Sequence, residues 1–310
     1  MHAERSYTHA MSQLLNTPLA ILPAKAAMLV AALRSQFNIT ALVMLEDGET
    51  RELDAAGLDA LAFSGRASGR RDRPEKIYQV DNRMALLPVT GTLMRTWGTQ
   101  PFSGATGYDG IKERLVAAQN DPDVDGIFMD IDSTGGQVAG CFDCVDLIRE
   151  MNGRNGGKPV YAIANEDAYS AAFAIASAAD HIYVPRTGGT GSVGVITLHA
   201  DMSKAYEKAG VKVTVIRSGA DKAKGNPYEA LDDGTLAAIQ AEIDEMRELF
   251  IETVAAGRKG VSAKKIRETE ARTFMGKHAV EIGFADTVAS YEQAYVDAHM
   301  RMRKRRKIAA

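Results

Sequence analysis

From residue 77 onward, short apolar runs alternate with stretches of helical period, a rhythm that few folds accommodate. Runs at 84–89, 126–131, 160–164, 181–184, 193–198 and 211–216 read as strands, and helical periods at 108–119, 138–151, 170–179 and 201–209 separate most of them. Such alternation predicts an α/β fold with a mostly parallel sheet covered by helices. A long amphipathic helix follows at 235–256, where Leu236, Ile239, Ile243, Met246, Phe250 and Val254 recur at spacings of three and four.

In front of that body, residues 1–62 read as a small accessory region with a helix near 24–34 and a strand near 39–45. Residues 63–76 follow as a flexible linker, since a stretch such as Ser64-Gly65-Arg66-Ala67-Ser68-Gly69 has almost nothing to bury. The main domain spans 77–290, and 291–310 is a basic tail. Arg301, Arg303, Lys304, Arg305, Arg306 and Lys307 put six positive charges there, so a net charge of −3 leaves −9 on the remainder. A mildly acidic body gives no general support to nucleic-acid binding. The tail could hold acidic protein patches or nucleic acid, or be a solvated terminus.

Cys141 and Cys144 form a C-x-x-C pair, but no second pair exists to complete a zinc site. Both fall with Val145 and Ile148 on one helical face, where free cysteine packs as a small apolar residue. Redox chemistry is the rival reading. No stretch reaches the roughly 18 apolar residues of a membrane span, and the first residues lack the apolar core of a signal peptide. The expectation is a cytoplasmic protein.

Three pieces of the main domain carry chemistry. Gly135-Gly136 follows an apolar strand, where ligands of open α/β sheets gather and where backbone N–H groups meet no Cβ. That is what an oxyanion hole requires, although a tight strand-to-helix turn with no ligand needs the same glycines. Ser170 opens the alanine-rich run 171–179, which must be buried. Its ordinary reading is a helix N-cap; its chemical reading is a nucleophile in a dry site. Lys222 ends a turn after the run at 211–216 and can act as general base if burial lowers its pKa from about 10.4. Lys224 is the rival base, and solvent exposure is the ordinary fate of a lysine.

Other chemistries fit less well. Gly189-Thr190-Gly191-Ser192-Val193-Gly194 matches G-x-G-x-x-G, but the β-branched run after it reads as a strand where a dinucleotide site needs a helix. No G-x-S-x-G elbow occurs, His181 and His199 stand without motifs, and H-E-x-x-H is absent. Neither a metal nor an organic cofactor is expected.

At these residues the chain resembles the signal peptide peptidase A family, and more closely its phage branch, the lambda-type head maturation proteases. Asn16-Thr17-Pro18-Leu19, Leu87-Pro88-Val89-Thr90-Gly91-Thr92-Leu93, Thr106-Gly107-Tyr108-Asp109-Gly110-Ile111, Thr190-Gly191-Ser192-Val193-Gly194-Val195 and Gly225-Asn226-Pro227-Tyr228 carry the resemblance in order and spacing. It implies a crotonase-like or Clp-protease-like fold, Ser170 as nucleophile and Lys222 as general base. It also implies that the Ser192 hydroxyl orients the lysine amine, that the N–H groups of Gly135 and Gly136 hold the oxyanion, and that the chain forms a homo-oligomeric ring. Ala171 and Ala172 stand where many relatives carry glycine after the nucleophile.

The function implied is a serine endopeptidase that processes scaffold, and portal or capsid protein, inside an assembling prohead in the host cytoplasm. One alternative is a peptidase that degrades signal peptides or other short chains. Another is a catalytically silent assembly protein that keeps the fold for its ring.

Overall fold

The structure is a computed structural model that describes residues 19–21, 42–46, 49–53, 76–98, 104–199 and 201–309. It divides into two units, residues 23–77 and the rest of the chain. The first strand, β1 (Leu19–Ile21), belongs to the larger unit, whereas β2 (Leu42–Glu46) and β3 (Glu49–Leu53) pair antiparallel in the smaller one. The helix expected near 24–34 and nearly all of the linker expected at 63–76 lie outside the described residues.

The larger unit continues with β4 (Gln79–Asp81), β5 (Met84–Thr90), β6 (Thr92–Met94), β7 (Ala105–Gly107), α1 (Tyr108–Asn120), β8 (Gly126–Ser133) and β9 (Gly135–Gln137). Next come α2 (Cys141–Met151), β10 (Val160–Tyr169), α3 (Ala171–Ser177), β11 (His181–Val184), β12 (Gly189–Gly191) and α4 (Ser203–Lys208). The chain ends with α5 (Asp233–Gly257), α6 (Ala263–Arg267), β13 (Thr273–Met275), α7 (Gly276–Ile282), β14 (Thr287–Val288) and α8 (Tyr291–Ala309).

Eight strands form the main sheet. Its path runs β13-β12-β10-β8-β5-β4, with β11 beside β10 and β14 beside β11. Pairing is parallel everywhere except at β4–β5 and β12–β13, so the mostly parallel α/β sheet that the sequence predicts is the one observed. The long strand β10 pairs on one side first with β11 and then with β12, and on the other side with β8. Its register with β8 slips between Ala164 and Ala168, and Glu166 in that bulge has φ 70°. A bulge re-aims the strand that carries it, here just before Ser170. A second sheet runs β1-β9-β6-β7.

Alternation along the strands explains the layers. Phe128 of β8, with Tyr161 and Ile163 of β10, faces α8 in a cluster with Ala294, Ala298 and Met302. Tyr291 and Tyr295 of α8 meet the Phe128 ring edge-on at 5.8 and 5.4 Å. Ile127, Met129 and Ile131 point the other way and are fully buried, as are Ile111 and Leu115 of α1 and every residue of α3. Cys141 and Cys144 are free and fully buried on α2, and burial pushes the Cys141 thiol up to about 12, so both sulfurs pack as apolar groups.

Three expectations change. The run at 211–216 forms no strand, and 193–198 shows only an isolated bridge residue. A β-branched run needs a neighbouring strand to satisfy its backbone, and Val211, Val213 and Ile216 lie exposed instead. The stripe on α5 is buried only at Phe250 and Val254, leaving Leu236 open near the other end. Finally, the basic tail is helical as far as Ala309: Met302 is buried, Arg305 donates to the Gly153 carbonyl, and Arg306 pairs with Asp125 at 2.9 Å. Among the described residues, no helix is long and apolar enough to cross a membrane.

Candidate active site

Ser170 stands between the end of β10 and the start of α3 with φ 56° and ψ −124°. Non-glycine residues rarely adopt that backbone, and such strain persists only where the surroundings enforce it. Here two bonds do so: the Ser170 N–H donates to the Gly191 carbonyl at 2.8 Å, and its carbonyl accepts from the Ala174 N–H at 2.9 Å. The hydroxyl does not cap the helix. Ser170 is 0% exposed and its Oγ has no hydrogen-bond partner among the described residues. Burying a hydroxyl unpaired is unfavourable by roughly 1–3 kcal/mol, which structural serines avoid. The sharp strand-to-helix turn is that of a nucleophile elbow, without the sequence motif that announces one.

The register carries the other candidates to the same place. Tyr169 lies opposite Gly191, so Ser170 and Ser192 are the next residues after two adjacent strands. Ser192 is also buried with φ 56°, and its N–H donates to the Arg272 carbonyl at 3.1 Å. On the other side of β10, Ala168 lies opposite Ser133, which brings the diglycine that follows beside Ser170.

That diglycine is a strand rather than the helix-opening turn expected. Gly135 has φ 107°, and an ideal Cβ on Gly136 would lie 1.9 Å from the Leu93 carbonyl oxygen, so only glycine fits at either position. The Gly135 N–H is engaged, donating to Ser133 Oγ at 3.1 Å, while that hydroxyl donates to the Gly91 carbonyl at 2.6 Å. The expectation of an open donor at Gly135 therefore does not hold within this chain.

Lys222 is not part of the cluster. It is exposed in the turn after residue 218, where its N–H donates to the Gly219 carbonyl at 3.2 Å. The rival Lys224 pairs with Asp221 at 2.6 Å. Clefts open along this part of the chain, one lined by Tyr206, Val211 and Tyr228. Sequence reasoning missed the Ala171 N–H, which follows the elbow and has no acceptor within α3. Its signal was the strand, turn and helix order around Ser170.

Residues 152–305 match the model of peptidase family S49. The chain is similar to Capsid assembly protease C of Escherichia phage lambda, at 41% identity over 94% of this chain and 65% of that protein. It is 39% identical to Head-tail preconnector protein GP5 of Enterobacteria phage P21, over 94% of this chain and 56% of that protein. Protease 4 of Haemophilus influenzae is 25% identical over 75% of this chain and 37% of its own length. The chain thus spans less than two thirds of each phage relative. Its mixed sheet flanked by helices agrees with the crotonase-like or Clp-protease-like architecture.

Proposed function

Residues 152–305 form a peptidase family S49 domain, and from that premise we propose that the chain is a serine endopeptidase of phage prohead assembly with Ser170 as nucleophile. The observation that carries this reading is the strained, buried Ser170 with an unpartnered hydroxyl beside a glycine strand. Relatives named as a capsid assembly protease and a head-tail preconnector support scaffold, portal or capsid protein as substrates.

In this reading the Ser170 Oγ attacks the scissile carbonyl while Lys222 Nζ takes the hydroxyl proton. The tetrahedral oxyanion accepts from the N–H groups of Gly136 and Ala171, and from Gly135 once Ser133 Oγ gives way. Nζ then delivers the proton to the leaving amine, and water repeats the sequence to release the acyl group. Ser192, beside the nucleophile, orients the amine.

A lysine acts as a base near neutral pH only in its uncharged form, which burial favours, whereas Lys222 lies exposed within this chain. Lys222 must therefore be covered before it works, and the open apolar residues Val211, Val213, Ile216 and Leu236 are what a second copy of the chain would cover. The dyad accordingly forms on assembly into a ring, the nucleophile pre-shaped within each chain and the base buried at the contact.

Co-expression with scaffold and capsid proteins, followed by mass spectrometry, tests the reading. Wild type should yield defined cleavage products and Ser170→Ala none, with the Ser170→Ala chain still folded. Products unchanged by Ser170→Ala would overturn the proposal.

A further inference from the structure

We propose that Leu19–Ile21 is a resident occupant of the strand edge on which an extended peptide substrate lies, so the chain shields its own site until that strand leaves. The inference rests on Ser170 being the nucleophile. β1 runs antiparallel on β9, with Leu19 opposite Gln137, Ala20 opposite Gly136 and Ile21 opposite Gly135.

The other edge of β9 is closed. β6 pairs there, Leu93 opposite Gly136, and the missing Cβ of Gly136 leaves its backbone packed on that of Leu93. The fully buried Tyr108 donates its hydroxyl to the Gln137 carbonyl at 2.6 Å, and the Arg95 N–H donates to Gln137 Oε1 at 2.7 Å. β9 is therefore fixed, and among the described residues β1 is the neighbour placed to exchange.

The antiparallel direction sets Ile21 at the Gly135 end of β9, the end that the Ala168–Ser133 register holds beside Ser170. A substrate carbonyl must come within about 3 Å of the nucleophile, yet Ser170 is 0% exposed. Something has to withdraw, and β1, a three-residue strand at the edge of its sheet and paired on β9, has few bonds to lose. Recognition through main-chain pairing at a glycine edge selects an extended polypeptide segment. Leu19-Ala20-Ile21 models its chemistry, a small residue between two apolar ones.

Proline lacks the N–H that strand pairing uses, and adjacent residues present their N–H groups to opposite edges, so Ala20→Pro and Ile21→Pro are made separately in the full chain. Hydrogen exchange at the 135–137 amides and cleavage of an unstructured peptide of about ten residues are both measured. One variant should lose protection at 135–137 and cleave about tenfold faster, equivalent to about 1.4 kcal/mol of relieved occlusion. Unchanged exchange in both variants, or increased exchange without faster cleavage in a protein whose Ser170 reacts with a fluorophosphonate, would overturn the inference. Failure of Ser170 to react in wild type and both variants defeats the nucleophile reading instead, and exchange alone then decides whether β1 occupies the edge.

Discussion

The N–H of Ser170 donates to the carbonyl of Gly191 at 2.8 Å, and that bond couples the elbow at the end of β10 to the end of β12. It places Ser170 and Ser192 at equivalent points just past two neighbouring strands, both with φ 56°. If Ser192 positions the base as proposed, Ser192→Ala should lower kcat about 10- to 100-fold while leaving the thermal midpoint nearly unchanged. A large fall in the thermal midpoint with kcat unchanged would mark a purely structural serine.

The contact between Gly136 and Leu93 is backbone against backbone, with 1.9 Å left for a Cβ. Neither side can yield by a rotamer change. Gly136→Ala should destabilise the fold by about 3 kcal/mol, at the upper end of overpacking effects. Chemical denaturation checks this, and a loss below about 1 kcal/mol would show that β9 is not held as described.

Asp286 accepts from Arg258 at 3.0 and 2.7 Å, and from the Ile182 N–H at 2.7 Å. Burial opposes its charge, but those bonds and the guanidinium outweigh burial and hold its pKa below the usual carboxylate value. Nearby, burial pushes the His181 imidazole pKa down despite the attraction of Asp286. Both groups bind fewer protons in the folded state than in the unfolded one, so their stabilisation is lost as pH falls. The thermal midpoint should begin to drop below about pH 6.5, from His181, and drop further below about pH 4, from Asp286. Arg258→Met leaves the partly buried carboxylate without its cation; it should lower stability at neutral pH by about 3 kcal/mol and make the further loss below about pH 4 shallower, because the folded-state pKa of Asp286 rises toward its unfolded value. An acid limb identical to that of wild type would contradict the assignment.

The last helix makes truncation costly. Met302 is buried against Phe128 and Tyr161, and Arg305 and Arg306 reach Gly153 and Asp125. A chain ending at residue 300 should lose about 2–4 kcal/mol, the usual range for emptying a buried Met position. A midpoint unchanged by truncation would return residues 301–310 to the role of a solvated tail.

Much of the fold follows from local pattern. The strand at 181–184 has the bounds its apolar run implies, and β5, β8 and β10 extend theirs by one to five residues, while β6, β7 and β9 answer to no expected run. The helix expected from 138 starts at Cys141, because Gly140 with φ 81° still belongs to the turn. What pattern could not reveal was set by long-range pairing. Nothing in Gly135-Gly136 announces a strand held between β1 and β6, and nothing around Ser170 distinguishes a capping hydroxyl from one turned away from its helix. The run at 211–216 was misleading for the opposite reason: its β-branched residues satisfy a strand pattern, but no strand among the described residues pairs with them.

The most direct test of the dyad is covalent labelling of the assembled protein with a fluorophosphonate, located by peptide mass spectrometry. The adduct should sit on Ser170 in wild type and form at least 100-fold more slowly in Lys222→Met. An adduct on a different serine, or equal labelling of Ser170 without the lysine amine, would contradict the account.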